Sequence, residues 1–246
     1  METVLEVIDV KKVFSDKTIA LNGVSFSVNL GEFIVIAGSN GSGKSVLMSL
    51  IANLDEPTEG KIILHGVKAG LVFQDADAQI LGETPLEDVL FGIKNAGVKK
   101  SEQIPLAEKS LEKVGLLLKK DSPARTLSGG EKRRLSVAGI LSLNRDLIIF
   151  DEPFANLDWP GVRQVCQILK QLKEGGKTII VLTHETEKIL ALADRFIVLD
   201  KGEIKFDGTA EEGLKQDLEK YSIKNPLPNT GKNGKTISKI GDLLWL

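Results

Sequence analysis

The chain has a single cysteine, Cys166, among 246 residues. No intrachain disulfide is possible, and a reducing compartment is expected. It has no excess of either charge: 32 basic residues against 34 acidic leave a net charge of −2. A general basic field of the kind that draws nucleic acid is thereby excluded. Long apolar runs are missing too. The strongest, Phe33–Ala37 and Leu147–Phe150, fall far short of the ~20 residues a spanning helix needs. The first residues, Met1-Glu2-Thr3-Val4-Leu5-Glu6, are acidic where a secretory signal would be basic. A soluble protein is expected, reaching any membrane through partners. No internal repeat is visible. What is present is 42% hydrophobic residues, ample for a core and against disorder, in a length that fits one large domain or two small ones.

Gly38-Ser39-Asn40-Gly41-Ser42-Gly43-Lys44-Ser45 is a full G-x-x-x-x-G-K-[ST] phosphate loop. It follows the apolar run Phe33–Ala37, read as a buried parallel strand, and opens a helix from Lys44. Its glycines let backbone N–H groups converge on a β-phosphate, helped by the dipole of that helix. Lys44 adds a point charge for the β/γ-phosphates, and the Ser45 hydroxyl is a Mg²⁺ ligand. Leu147-Ile148-Ile149-Phe150-Asp151-Glu152 is a hydrophobic strand ending in two carboxylates. Asp151 would hold Mg²⁺, directly or through water, as a Walker-B aspartate. Glu152, beside it, is placed to polarise an attacking water.

The rest of the chain organises around these pieces. Val4–Val10 and Val24–Val28 alternate like half-buried strands, with a turn at Asp16-Lys17, and short strands follow at Lys61–Leu64 and Leu71–Phe73, separated by a tight Gly66/Gly70 turn. From Pro85 to about Lys120, apolar residues recur at helical spacing and predict a helical insert. Ser128-Gly129-Gly130-Glu131 fits a capping box, so its hydroxyl and N–H groups offer an anion site at a helix start. Strands at Leu147–Phe150, Thr178–Leu182 and Arg195–Leu199 then alternate with helices at Val162–Glu174 and Glu185–Ala193. That alternation predicts an α/β fold with a mostly parallel sheet. Gly208 to about Tyr221 reads as helical again, and Asn225 to Lys235 has linker composition. Beyond it Ile237, Ile240, Leu243, Leu244 and Trp245 form an apolar stripe that either docks on a partner or folds back on the chain.

The phosphate loop followed by Leu127-Ser128-Gly129-Gly130-Glu131 resembles the nucleotide-binding subunits of ABC transporters, over roughly residues 2–220. Phe73-Gln74-Asp75-Ala76-Asp77-Ala78-Gln79-Ile80-Leu81-Gly82-Glu83-Thr84, with Glu87–Gly92, is most similar to the ATPases of energy-coupling factor transporters, importers of vitamins and of cobalt or nickel ions. The resemblance implies a P-loop NTPase (RecA-like) core with a small antiparallel β subdomain and a helical signature subdomain at about 80–142. The ATPase domain would span 1–222, and 223–246 would be a linker and an apolar C-terminal tail.

It further implies an ATPase using ATP and Mg²⁺. Nucleotide would be bound by Phe14, which stacks on adenine unless it is an ordinary core phenylalanine, and by Gly38, Ser39, Asn40, Gly41, Ser42, Gly43, Lys44, Ser45 and Val46. Glu152, His184, Gln74 and Lys44 would be catalytic, with His184 touching the γ-phosphate. Ser45, Gln74 and Asp151 would hold the metal. Ser128, Gly129, Gly130 and Asp158 would meet nucleotide held by a second ATPase subunit, so hydrolysis needs dimer closure. His65, the only other histidine, is read as a turn residue. Further partners would be a transmembrane coupling protein and a substrate-capture membrane protein, with no nucleic acid, at the cytoplasmic face of the cell membrane. Ordinary ABC importers or exporters, and soluble ABC-type ATPases, share most of these motifs. Val46, Asn156 and Trp159 depart from the family pattern. Val46 stands where a threonine usually helps hold the α-phosphate, and the other two alter the loop that carries Asp158.

Overall fold

The protein is described from a computed structural model covering residues 2–226. The apolar tail from Ile237 to Trp245 and most of the linker lie outside the described residues.

Two sheets carry the fold. In the first, β1 (Thr3–Val13), β2 (Ile19–Asn29) and β4 (Glu59–Leu64) run antiparallel in the order β2-β1-β4. The second contains β3 (Phe33–Ala37), β5 (Ala69–Val72), β6 (Leu147–Asp151), β7 (Thr178–Thr183), β8 (Arg195–Asp200) and β9 (Glu203–Gly208). Its order is β5-β6-β7-β3-β8-β9, with every neighbouring pair parallel except β8 and β9.

The continuous apolar strands of the second sheet are covered on both faces, as parallel sheets require. Their residues divide by parity. Phe33, Val35, Ile148, Phe150, Ile179 and Val181 face one core, while Ile34, Ile36, Leu147, Ile149, Ile180 and Leu182 face the other. The first core is closed by helices α3 (Pro85–Asn95), α4 (Lys100–Lys113), α5 (Gly129–Ser142) and α6 (Trp159–Glu174). The second is closed by the antiparallel sheet and α1 (Lys44–Ile51). Phe150 is fully buried in the first core. Phe150→Ala is expected to cost about 3–5 kcal/mol, measured by urea unfolding, through lost transfer energy and the cavity left behind.

The helical insert is present as α3 and α4, packed on each other and on α5. Thr84 caps α3 with a reciprocal bond from Glu87, and Pro85 occupies its first turn, which explains its sharp start. Among the described residues, no helix is long and apolar enough to cross a membrane.

Several local expectations change. The turn expected between the strands near Lys61 and Leu71 connects two sheets: β4 joins the antiparallel layer and β5 the edge of the parallel one. Gly66 turns with φ of 72°, but Gly70 lies within β5, where a Cβ would come within 2.6 Å of Ile140 Cγ2. The helix expected over Glu185–Ala193 is two 3₁₀ turns, Thr186–Lys188 and Leu190–Leu192, broken where Ile189 adopts φ of −138°. The strand β9 has no counterpart in the sequence reading, and between Gly208 and Tyr221 the described residues form α7 (Ala210–Gly213) and a 3₁₀ turn at Leu218–Tyr221 in place of one helix. A further four-residue helix, α2 (Ala76–Gln79), sits between β5 and α3.

Candidate functional site

Four C-terminal strand ends and one helix start converge. The loop Gly38–Gly43 leaves β3 and enters α1 through Gly43 at φ of 105°. A Cβ there would lie 2.6 Å from Ala20 O, so glycine is required by both dihedral and space. The loop is buttressed from a distance: Gly202 N, in the β8–β9 turn, donates to Ser42 O at 2.9 Å. The first N–H groups of α1 have no carbonyl within the helix to bond, which makes this helix start, beside the loop, a candidate anion site.

Lys44 is buried, and its Nζ donates to Gly38 O at 2.7 Å and Ser39 O at 3.1 Å. The same Nζ lies 3.5 Å from Glu152 Oε1. Ser45 Oγ donates to Asp151 Oδ2 at 3.1 Å, while Asp151 Oδ1 is buried with no protein partner. Burial pushes the Asp151 carboxyl above the ordinary aspartate range; the Ser45 bond and the Lys44 and Arg133 charges oppose this, and Glu152 adds to it. One hydroxyl and one orphaned carboxylate oxygen fit a hard, oxygen-seeking cation that draws its other ligands from phosphate and water. Among the described residues no group of three or more carboxylate, histidine or cysteine side chains forms a metal cage.

Asp151→Asn should separate these two roles. Removing a buried, half-satisfied charge is expected to raise the melting temperature of the nucleotide-free protein by about 2–4 °C, the shift that roughly 1 kcal/mol produces at this size. The extra stabilisation given by Mg-ATP over ATP alone should be lost. Thermal melts with and without Mg²⁺ measure both, and an undiminished Mg²⁺ increment would refute the assignment.

Glu152 stands one residue past β6 in the left-handed region, at φ of 43°. That conformation is uncommon for a residue with a side chain and aims the carboxylate back into the site. Its Oε2 accepts from Thr183 Oγ1 at 3.0 Å and His184 N at 3.3 Å, and Oε1 lies 3.0 Å from His184 Nδ1. Thr183, at the end of β7, also accepts from Glu185 N at 3.0 Å, so its hydroxyl both donates and accepts. Sequence reading passed over Thr183. The available signal was a polar residue closing an otherwise apolar strand.

Thus Lys44, Ser45, Asp151, Glu152 and His184 form one cluster. Phe14 is partly exposed in the β1–β2 turn, its ring 5.7 Å from Lys12 Nζ. Val46 packs against the second core, and the Gln74 side chain is exposed.

Ser128, Gly129 and Gly130 lie elsewhere, and among the described residues no hydrogen bond or ion pair joins them to the phosphate loop. Ser128 caps α5: its Oγ accepts from Glu131 N at 3.3 Å and Glu131 Oε2 accepts from Ser128 N at 2.9 Å. The Ser128 hydroxyl proton remains available to donate. With Asn156 and Asp158 these residues line a groove of about 410 Å³. Asp158 caps α6 by accepting from Gly161 N at 2.9 Å. Asn156 has φ of 61°, a conformation asparagine tolerates well, which supplies a physical reason for its presence.

A residue to which the sequence assigned no individual role is Arg133, on α5. Almost wholly buried, it donates from both terminal nitrogens to Phe73 O and Gln74 O. Burial pulls its pKa down, opposed by the Asp151 and Asp75 charges. Cys166 is also buried, its thiol pushed up to about 11, and plays no part in the cluster.

Residues 21–155 match the family model described as ABC transporter. The chain is 37% identical over 249 aligned residues to the energy-coupling factor transporter ATP-binding protein EcfA1 of Streptococcus sanguinis, covering 94% of this chain and 89% of that protein. Among solved structures it superposes on cbiO1 of Clostridium perfringens, part of the ABC transporter complex cbiONQ, with a TM-score of 0.80 and 29% identity, covering 92% of this chain and 97% of that one. A dimeric ATP-binding cassette in a post-hydrolysis state with ADP and Pi gives a TM-score of 0.73 at 29% identity, over 84% of this chain and 98% of that one.

Proposed function

The chain belongs to the ABC transporter family as one of its transport-coupled ATPases, and from that premise we propose that it powers uptake of a vitamin or transition-metal ion through an energy-coupling factor complex. The supporting observation is the cluster in which Lys44, Ser45 and Asp151 adjoin the inward-held Glu152. A scaffold without catalysis has no need to hold a buried carboxylate in a strained backbone conformation beside a phosphate loop. The segment that carries the energy-coupling factor resemblance is built from its own side chains. Asp75 accepts from Asp77 N and Ala78 N, Gln79 brackets the end of β5, and Asp88 accepts from Leu81 N and Gly82 N.

Each residue has a distinct task. The N–H groups of the phosphate loop and the Lys44 ammonium hold the β- and γ-phosphates of ATP, with Phe14 against the base. Ser45 and Asp151, with Gln74 from the loop after β5, would hold Mg²⁺, which would offset charge on the phosphates. Glu152 accepts a proton from the attacking water, and His184, already against Glu152, orients toward the γ-phosphate. Ser128, Gly129, Gly130 and Asp158 complete the site of a second ATPase subunit. Closure of that dimer drives the transmembrane coupling protein while a separate membrane protein captures substrate, placing this chain peripherally on the cytoplasmic face. Asn156 in the loop facing the partner, and Trp159 at the start of α6, favour a related rather than identical second chain. Residues 1–222 would be the ATPase domain, 80–142 its helical part and 223–246 the docking tail.

Affinity purification from detergent-solubilised native membranes, with mass spectrometry of what is retained, tests this. Recovery of a second ABC ATPase, one transmembrane protein and a small membrane capture protein is the expected result. A pair of large transmembrane subunits, or soluble partners alone, would overturn the energy-coupling factor reading.

A further inference from the structure

The backbone between β5 and α2 has left its sheet, and its carbonyls need donors from elsewhere. Phe73 N donates to Gln79 Oε1 at 3.0 Å, so the local helix supplies one side of the peptide. The opposite side is taken by α5: Arg133 donates to both Phe73 O and Gln74 O. Its neighbour Lys132 bonds Asp77 Oδ1 at 2.5 Å, a second tie between the same helix and the same strap. The two ties differ in kind. Lys132–Asp77 is a surface pair whose carboxylate is 70% exposed, and such pairs contribute little. Arg133 is 3% exposed, and its planar fork fixes two consecutive carbonyls in position and orientation.

Arg133 lies five residues after Ser128, on the order of 7 Å along one rigid helix. The residue it holds in place, Gln74, and a residue of the helix start, Gly129, line the same cavity of about 340 Å³, with Arg133 itself and Asn156. We propose that Arg133 is a positioning residue that makes the Gln74 loop and the Ser128–Gly130 end of α5 move as one body. The chain's own nucleotide, sensed by Gln74, is thereby linked to the nucleotide that Ser128 meets on the partner. This inference rests on the dimer reading above.

Its test is ATP hydrolysis against ATP concentration in the assembled complex, alongside Mg-ATP binding and thermal melts. Arg133→Met keeps the apolar stem and removes the fork. Its kcat is expected to fall on the order of 10- to 10²-fold, the scale of a misplaced catalytic group. Cooperativity should be lost while the Kd for Mg-ATP stays within about twofold, because this residue touches no phosphate. Arg133→Lys, with one point donor, should fall between, and it carries the test if the methionine variant fails to fold. Combining Gln74→Ala with Arg133→Met should add no further loss if the arginine acts through that loop. Cooperative wild-type hydrolysis with unchanged kcat and cooperativity in both arginine variants overturns this inference alone. Non-cooperative wild-type hydrolysis overturns the dimer reading and the inference with it.

Discussion

Glu152→Gln protein is expected to bind ATP as the wild type does while hydrolysing it about 10²- to 10⁴-fold more slowly, the usual worth of a positioned general base. The substitution keeps side-chain volume and leaves an oxygen for the Thr183 hydroxyl, which now bonds Glu152 Oε2 at 3.0 Å. Lys44, Ser45 and Asp151 are untouched, so both the phosphate and the metal contacts persist. With binding intact and turnover blocked, ATP should trap the closed dimer, visible as a doubled mass in size-exclusion chromatography. Hydrolysis at the wild-type rate in the assembled complex would remove Glu152 from its proposed role. A variant that loses ATP binding as well would show that the glutamate supports the phosphate loop, through its 3.5 Å approach to Lys44, more than it activates water.

The second large effect concerns Ser128→Arg in a mixed dimer with one unaltered chain. A bulky cation at the capped start of α5 fills the groove shared by Gly129, Gly130 and Asn156. Hydrolysis at the partner's phosphate loop should fall about 10²- to 10³-fold, comparable to removing an oxyanion-type donor. Binding at the altered chain's own loop should be spared, since Lys44, Ser45 and Asp151 are untouched. The cap itself is worth about 1 kcal/mol, too little to unfold the domain. Equal loss of binding at both sites would undo the in-trans assignment.

Much of this arrangement was legible from residues alone, for identifiable reasons. Buried strands such as Phe33–Ala37 and Leu147–Asp151 announce themselves because both faces are covered, so every position is apolar. The Ser128 cap is a local device, written within four residues and formed as such. Asp151 and Glu152 follow directly from where their strand ends. The 3₁₀ turns after His184 look helical in composition, and only the dihedral at Ile189 divides them. The strand β9 is half-exposed and irregular in register, so it lacks the apolar run that marked its neighbours. The partners of Thr183 and Arg133 were out of reach because they lie 31 and about 60 residues away, even though a polar residue closing an apolar strand singles out Thr183. No spacing rule encodes such a meeting.

The bond from Gly202 N to Ser42 O has a consequence for how the protein is made. The strand that feeds the phosphate loop, β3, pairs with β7 on one side and β8 on the other, both more than 140 residues later in the chain. A nascent chain on the ribosome therefore emerges with its nucleotide motif early and its means of holding that motif last. Until residue 202 has cleared the exit tunnel, the Ser42 carbonyl lacks its donor, and β3 gains its two neighbours only shortly before. Contacts of such high order form slowly, so competence to bind ATP should arise after synthesis, in step with completion of the C-terminal third.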